Sequence, residues 1–554
     1  MKFFSPVHVL ATASCAVIIS ACSGGGGSST ETPRPVTTTP PQPPVSVTLS
    51  GTVSYDRVPL NQTTNGLNFD GTFQQPIRAA TVELLNNAGS ILQETVSGDD
   101  GSYSFTLDSG QDVRVRVKAE IERLGQSEID LRVLDNTSGN SLYALDGSLS
   151  AMPRSNQIRD LNAGSGWGGT SYTGARAAGP FAILDTMFEV MEQFKDVDAD
   201  VDFPPLQVFW SENNRPIAGS ISDGEVTTSF YSIIGGLPTV VILGAENTDT
   251  DEFDRHVVTH EFGHYFENRL SRADSIGGPH SSADRLDPRV AFGEGFGNAL
   301  AAIIIEDDPT YRDSFGSRQS GGFEINAEAD SFTENGTPVF RSFIGWYSEL
   351  TVYQMLYDLF DVNNESSDNV TFGLEPFYRT FREADYTNTE AFTTIFSYLD
   401  AYKQQAGVDA DAVTELARRR GINGVGIFGE GETNDDGFDD ALPVYLEVAT
   451  DGTPSQVCTT DRFGEFNKLG NRRFLKFDVA TAGTFNFEMR VTPSGGRTDP
   501  DFIVFLEGQP VLTGFSATLG RETASASLQP GTYVIDAYDD RGSVGGVCHN
   551  FTIQ

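Results

Sequence analysis

The chain has 554 residues, 77 acidic against 37 basic side chains, and a formal net charge of -40. That length calls for several domains, and so acidic a surface excludes nucleic acid as a partner, because phosphate backbones are bound by clustered Lys and Arg. Anionic headgroups repel it too, so attachment to a membrane must come from a lipid.

Met1-Lys2-Phe3-Phe4 opens with one cation, and an apolar run follows from Val7 to Ile19. The run is too short, and too soon followed by glycine and proline, to be a stable membrane span. It finishes in Ile19-Ser20-Ala21-Cys22, which resembles a bacterial lipobox. The resemblance implies a signal peptide over 1–21, cleavage before Cys22 and lipidation of Cys22. Ser23 in place of Asp points to the outer membrane of a bacterial cell envelope, and ordinary secretion is the alternative. Residues 22–44, glycine-rich and then mixed in Ser, Thr and Pro, read as a flexible tether.

Residues 45–125 alternate like strands at Val45–Leu49, Ala80–Leu85, Ser102–Phe105 and Val113–Val117, with Asp99-Asp100-Gly101 marking a tight turn. Gly51-Thr52-Val53 and Asp100-Gly101-Ser102-Tyr103 are similar to the transthyretin-like, or carboxypeptidase-regulatory, sandwich. That resemblance implies a spacer or stabilising module.

Residues 130–435 are mixed. Phe181–Phe194 predicts a long amphipathic helix, 206–243 short strands, and the stretch beyond 250 mostly helix, with later helices at Phe377–Arg382, Ala391–Lys403 and Val413–Arg420. The acidic run Asp196–Asp202 reads as a solvated loop. A second run, Asn434–Asp440, is open equally to solvation and to Ca2+, since oxygen-rich loops bind it but neither run has the full calcium-loop spacing.

The chemistry lies between these runs. After the strand Pro238–Gly244 comes His260-Glu261-Phe262-Gly263-His264, within a helix that Asp249 and Glu252 are expected to cap. Residues four apart share a helix face, so His260 and His264 can present two imidazoles to one metal ion. Glu261 falls beside them as the base for metal-assisted hydrolysis. His256 has the same spacing, but three successive turns of a straight helix cannot all reach one ion, so it is expected behind the ligands.

A third ligand is needed. The position six residues past His264 is Leu270, which excludes the metzincin arrangement. Downstream, Ala291–Ile303 is apolar and helix-like until Pro309, with Glu294 as its lone carboxylate, bracketed by glycines that would admit a neighbouring backbone. Glu294 either pairs with a cation or sits exposed in a turn.

His260-Glu261-Phe262-Gly263-His264 followed by Gly293-Glu294-Gly295-Phe296-Gly297-Asn298 resembles the gluzincins, and most of all the fungalysin branch of thermolysin-like peptidases, which carry H-E-Y-x-H and G-E-G-W-x-D. The resemblance covers roughly residues 240–360, with Glu349–Asp358 similar to the helix that follows in that family. It implies one catalytic Zn2+ on His260, His264 and Glu294, with Glu261 as general base. Asn298 stands where the family has Asp, and an amide orients a ligand imidazole without adding charge. For the oxyanion donor, His280, Tyr347, Tyr353 and Arg341 all remain open.

The block 441–554 returns to strands at Phe474–Val479, Thr484–Met489, Phe502–Leu506 and Thr532–Ala537. With Leu528-Gln529-Pro530-Gly531-Thr532-Tyr533 it is similar to pre-peptidase C-terminal domains. With Cys15 in the signal and Cys22 lipidated, Cys458 and Cys548 remain, and outside the cytoplasm they should form one disulfide.

The expected architecture is multidomain α+β, a zincin-like two-lobed peptidase domain flanked by two β-sandwich domains. The expected function is zinc-dependent hydrolysis of peptide bonds in extracytoplasmic protein or peptide substrates, with a membrane held through the lipid anchor. The alternative is a non-catalytic surface adhesin or scaffold on an inactive zincin domain.

Overall fold

Along Ser102–Asp108 the side chains of Tyr103, Phe105 and Leu107 turn inward, and along Asp112–Lys118 those of Val113, Val115 and Val117 do the same. The two-residue period of the sequence is thus the two-sidedness of the first sandwich. The computed structural model describes residues 42–305, 309–328, 331–334, 337–340, 344–361, 370–492, 498–542 and 545–554. The signal segment with Cys15 and Cys22, the tether up to residue 41, and Arg341 lie outside them.

In one sheet Ser46–Arg57 pairs antiparallel with Ser102–Asp108 and Phe73–Pro76, and parallel with Gln157–Ile158 and Leu161–Ala163. In the other, Asp112–Lys118 lies between Thr81–Asn86 and Ala144–Asp146. Strands from 144–163 therefore complete a sandwich that the sequence pattern traces only to 125. The edge of the long Ser46–Arg57 strand offers ladder groups that the returning chain satisfies. Just past Lys118, Glu120–Arg123 pairs instead with Ile129–Asp135, in the next sheet.

That sheet runs Phe230–Ile234, Leu237–Ile242, Leu206–Trp210, Ile129–Asp135, Glu120–Arg123, with its three central strands parallel. Val240 and Ile242 point into the main core, while Val241 and Leu243 enter a smaller cluster with Phe209 and Val226 on the other face. Burial on both faces is why this stretch reads as an unbroken apolar run.

Helices α1 (Ala178–Val197), α2 (Arg255–Leu270), α3 (Pro288–Ile304) and α4 (Glu349–Phe360) pack on the main-core side. Helix α2 starts at Arg255, later than the expected cap at Asp249. Asp249–Thr250 is drawn into a strand pair with Gly244–Ala245, and a single 3₁₀ turn, Asp251–Phe253, separates it from the helix. Helix α3 starts earlier than its apolar run, because Asp287 caps it through Arg289 N at 3.0 Å and Pro288 fits the first helical position. Among the described residues four further helical segments follow, at Leu374–Arg382, Ala384–Thr387, Ile395–Tyr402 and Ala410–Arg419.

The last block has two sheets. Arg472–Val479, Gly531–Asp539 and Pro500–Leu506 are consecutive in one, and Ser455–Thr459, Val547–Ile553, Gly483–Val491 and Arg521–Leu528 form the other. Leu475, Val504 and Ile535 meet Val457, Met489 and Phe551 in a core of their own. Cys458 and Cys548 sit opposite each other on neighbouring strands and are joined by a disulfide. The whole is a mixed α and β protein in several sheets.

Candidate metal centre

Helix α2 presents His260 and His264 one turn apart, with their Nε2 atoms 3.1 Å from each other. Helix α3, packed against it, brings Glu294 Oε2 to 3.2 Å from His260 Nε2 and 3.4 Å from His264 Nε2. The glycines around Glu294 make this approach possible. A methyl group at Gly297 would lie 2.7 Å from the His260 ring, and one at Gly295 would lie 2.5 Å from Val352 and 2.7 Å from the Glu349 carbonyl oxygen on α4.

The triangle suits a metal ion. A tetrahedral Zn2+ with bonds of about 2.0–2.1 Å separates its ligand atoms by about 3.3 Å, and the three separations here are 3.1, 3.2 and 3.4 Å. Each imidazole is oriented from behind. His260 Nδ1 donates to Asn298 Oδ1 at 3.0 Å, and His264 Nδ1 faces Glu267 Oε2 at 3.6 Å. In the neutral imidazoles that ligate a metal, both Nε2 lone pairs are thereby left for the centre.

Glu261 is buried, and burial raises its pKa against the opposing pull of His260 and His264. Burial likewise raises Glu267. For Glu294 burial acts upward, but His264 and His280 outweigh it and hold the carboxylate well below its ordinary range. His264 is held well above its ordinary range, burial being outweighed by Glu294 and Glu267.

Of the three oxyanion candidates among the described residues, His280 reaches the centre. Its Nε2 lies 3.1 Å from Glu294 Oε2 and its Nδ1 donates to Glu349 Oε2 at 2.9 Å. Burial lowers its pKa, but these two carboxylates carry it up to about 9. Tyr347 is spent on Asn434 Oδ1 at 3.0 Å and Tyr353 on the Pro309 carbonyl at 2.6 Å. Exposure grows from 8% at Glu294 through 20% at His264 to 31% at His280, so the centre opens on the His280 side. His256 lies off the triangle, its ring edge-on to Tyr311 at 5.8 Å; Tyr311 in turn stands 6.0 Å from the His260 ring. Glu267, Glu349 and Tyr311 were not among the site residues expected from the sequence.

No family model and no curated protein matches the chain. Among solved structures it is similar to the precursor of protealysin, a metalloproteinase from Serratia proteamaculans, with 8% identity, 55% of this chain and 90% of that one covered, and a TM-score of 0.30. It is also similar to the pre-peptidase C-terminal domain of a collagenase from Bacillus anthracis, with 13% identity, 20% and 92% covered, and a TM-score of 0.16. The same 20% of coverage is found against PliG, a periplasmic inhibitor of g-type lysozyme from Aeromonas hydrophila, at 18% identity, 96% of that chain and a TM-score of 0.14.

Five carboxylates of the acidic runs noted in the sequence meet protein donors. Asp198 accepts from Tyr378 Oη at 3.0 Å, Asp200 from Gln126 at 2.7 Å, and Asp202 from Glu128 N at 2.9 Å. Asp436 pairs with Arg285, and Asp435 closes the turn onto Gly437 N at 2.8 Å. A different group, Asp249, Asp251 and Asp313, offers three carboxylate oxygens within 4.8 Å of one another. Burial first, then the carboxylates' mutual repulsion, drives Asp251 well above the ordinary range, while burial carries Asp249 to about 6. A raised carboxyl favours the folded state at low pH. That stability drains away as pH climbs from the unfolded value of about 3.9 through the folded value, about 6 for Asp249. In chelator-treated protein Asp251→Asn should therefore raise the unfolding temperature at pH 8 by a few degrees. A lower temperature would mean that the hydrogen bond Asp251 accepts from the Ser229 hydroxyl outweighs the repulsion.

Proposed function

We propose that this chain is a zinc-dependent peptidase that hydrolyses peptide bonds in protein or peptide substrates outside the cytoplasm. One observation carries the reading: His260, His264 and Glu294 converge with the separations of a tetrahedral ligand set, while Asn298 and Glu267 stand behind the two imidazoles. Zn2+ held by His260, His264 and Glu294 would supply Lewis-acid polarisation of the scissile carbonyl and of the attacking water. Glu261 takes the proton of that water and hands it to the leaving amine. His280, on the open side, stands 3.1 Å from Glu294 and forms that wall of the centre. The reading extends to location: a lipid on Cys22 anchors the enzyme to the bacterial outer membrane, and the Cys458–Cys548 disulfide suits an oxidising compartment.

The test uses soluble protein starting at Ser23. One zinc per chain is expected, with cleavage of casein that a chelator abolishes and added Zn2+ restores. Protein that folds and binds no zinc would sink the reading.

A further inference from the structure

The loop that carries His280 is held from the far end of the chain. The segment Arg462–Leu469 links the two sheets of the C-terminal sandwich, between Ser455–Thr459 and Arg472–Val479. From it Asn467 Nδ2 donates to the Gly277 carbonyl at 2.8 Å and Lys468 Nζ donates to the Pro279 carbonyl at 2.7 Å. The Phe466 ring lies against Gly278, where an added methyl group would come within 2.7 Å of it. Three backbone carbonyl and ring contacts thus fix the three residues before His280.

The same segment also grips the entry to α3. Asp287 N donates to the Asn467 carbonyl at 2.9 Å and Leu469 N donates to the Arg285 carbonyl at 2.9 Å, a short antiparallel pairing centred on Leu286 and Lys468. Seven residues on from Asp287, α3 presents Glu294. One loop of the sandwich therefore sets both partners of the His280–Glu294 contact at 3.1 Å. Its side-chain donors are well placed to act: Asn467 is wholly buried and the Lys468 side chain is 11% exposed.

We propose that the C-terminal β-sandwich is a working part of the peptidase site, and that Asn467 and Lys468 are positioning residues that act through His280. This rests on the peptidase reading above. A sandwich that served only as a spacer or substrate anchor would have no reason to thread its inter-sheet loop against the wall of the centre. A loop freed at Gly277 and Pro279 leaves His280 with its side-chain partners alone, and a misplacement of about 1 Å at such a group can cost on the order of 10²-fold in rate.

The experiment compares the full soluble chain with Lys468→Met, Asn467→Ala and His280→Ala, singly and with each positioning change combined with His280→Ala. Zinc content and circular dichroism establish that each variant is folded. Hydrogen exchange over residues 275–287 reads the loop without reference to catalysis. The expected result is faster exchange there, kcat on a peptide substrate lowered by about tenfold to 10²-fold, little change in KM, and recovery in Lys468→Arg. In the His280→Ala background the same changes should cost almost nothing further, since residues acting through one group are not additive. Released loops with parental kcat would overturn the inference, as would unchanged exchange or losses that add fully to that of His280→Ala. A parent that binds zinc but cleaves nothing would instead overturn the peptidase reading, and the exchange data would still report whether the sandwich holds the loop.

Discussion

Glu261→Gln should lower kcat by about 10²–10⁴-fold, the usual contribution of a general base, while zinc content and the unfolding transition stay at parental values. The amide keeps the size of the carboxylate, so a residue only 7% exposed is not repacked. The ligand triangle does not use the Glu261 side chain, since its corners are His260 Nε2, His264 Nε2 and Glu294 Oε2. What is lost is a site for the proton of the attacking water. Zinc analysis beside steady-state cleavage separates this from metal loss: His264→Ala should lose both zinc and activity, Glu261→Gln only the second. A Glu261→Gln protein that cleaves at parental rate would remove Glu261 as the base.

The parts of this centre that the sequence made legible are those written in short periods. A four-residue spacing on a helix puts His260 and His264 on one face, and their Nε2 atoms lie 3.1 Å apart. A lone acid among glycines in an apolar helix invites both a close neighbour and a charged partner. Gly295 lies against α4, and Glu294 lies beside both imidazoles. The alternation of the two sandwiches was legible for the same reason, as was the disulfide, because only two cysteines were left once Cys15 and Cys22 were set aside.

What was not legible depends on chain segments meeting at long range. His280 finds Glu349 across 69 residues, and Glu267 lies behind His264. No periodicity encodes such meetings. The cap expected at Asp249 failed for a related reason. A local capping pattern is worth about 1 kcal/mol, and strand pairing with Gly244–Ala245 satisfies the same backbone groups in another way. The first sandwich ran past its expected edge because its missing strands are two or three residues long, too short to show alternation.

Arg289→Met should destabilise the protein by about 3–5 kcal/mol, the cost of breaking a buried ion pair by removing one partner. Arg289 lies one residue into α3 and is 2% exposed. Its guanidinium donates to both oxygens of Asp287, at 2.9 and 2.8 Å, and to Asp536 on the C-terminal sheet at 3.0 Å. Arg472 donates to the same Asp536 oxygen at 2.6 Å, so two guanidinium groups balance two carboxylates. The rings of Phe392 and Phe474 each lie 4.7 Å from the Arg289 guanidinium carbon. Met preserves the stem that packs between the rings but leaves two buried carboxylates facing one cation. Asp536→Asn should cost less, since the amide oxygen still accepts a hydrogen bond. Because this cluster ties α3 to the sandwich, five residues before Glu294, Arg289→Met should lower kcat as well as stability, whereas a matched loss of stability in the outer sheet of the sandwich, such as Met489→Ala, should lower stability with kcat nearly intact. Urea denaturation read by fluorescence supplies the first quantity and steady-state cleavage well below the transition the second. A cost under about 1 kcal/mol for Arg289→Met, in the range of an exposed pair, would mean that the apolar contact between Phe392 and Phe474 holds the two parts together without the charges.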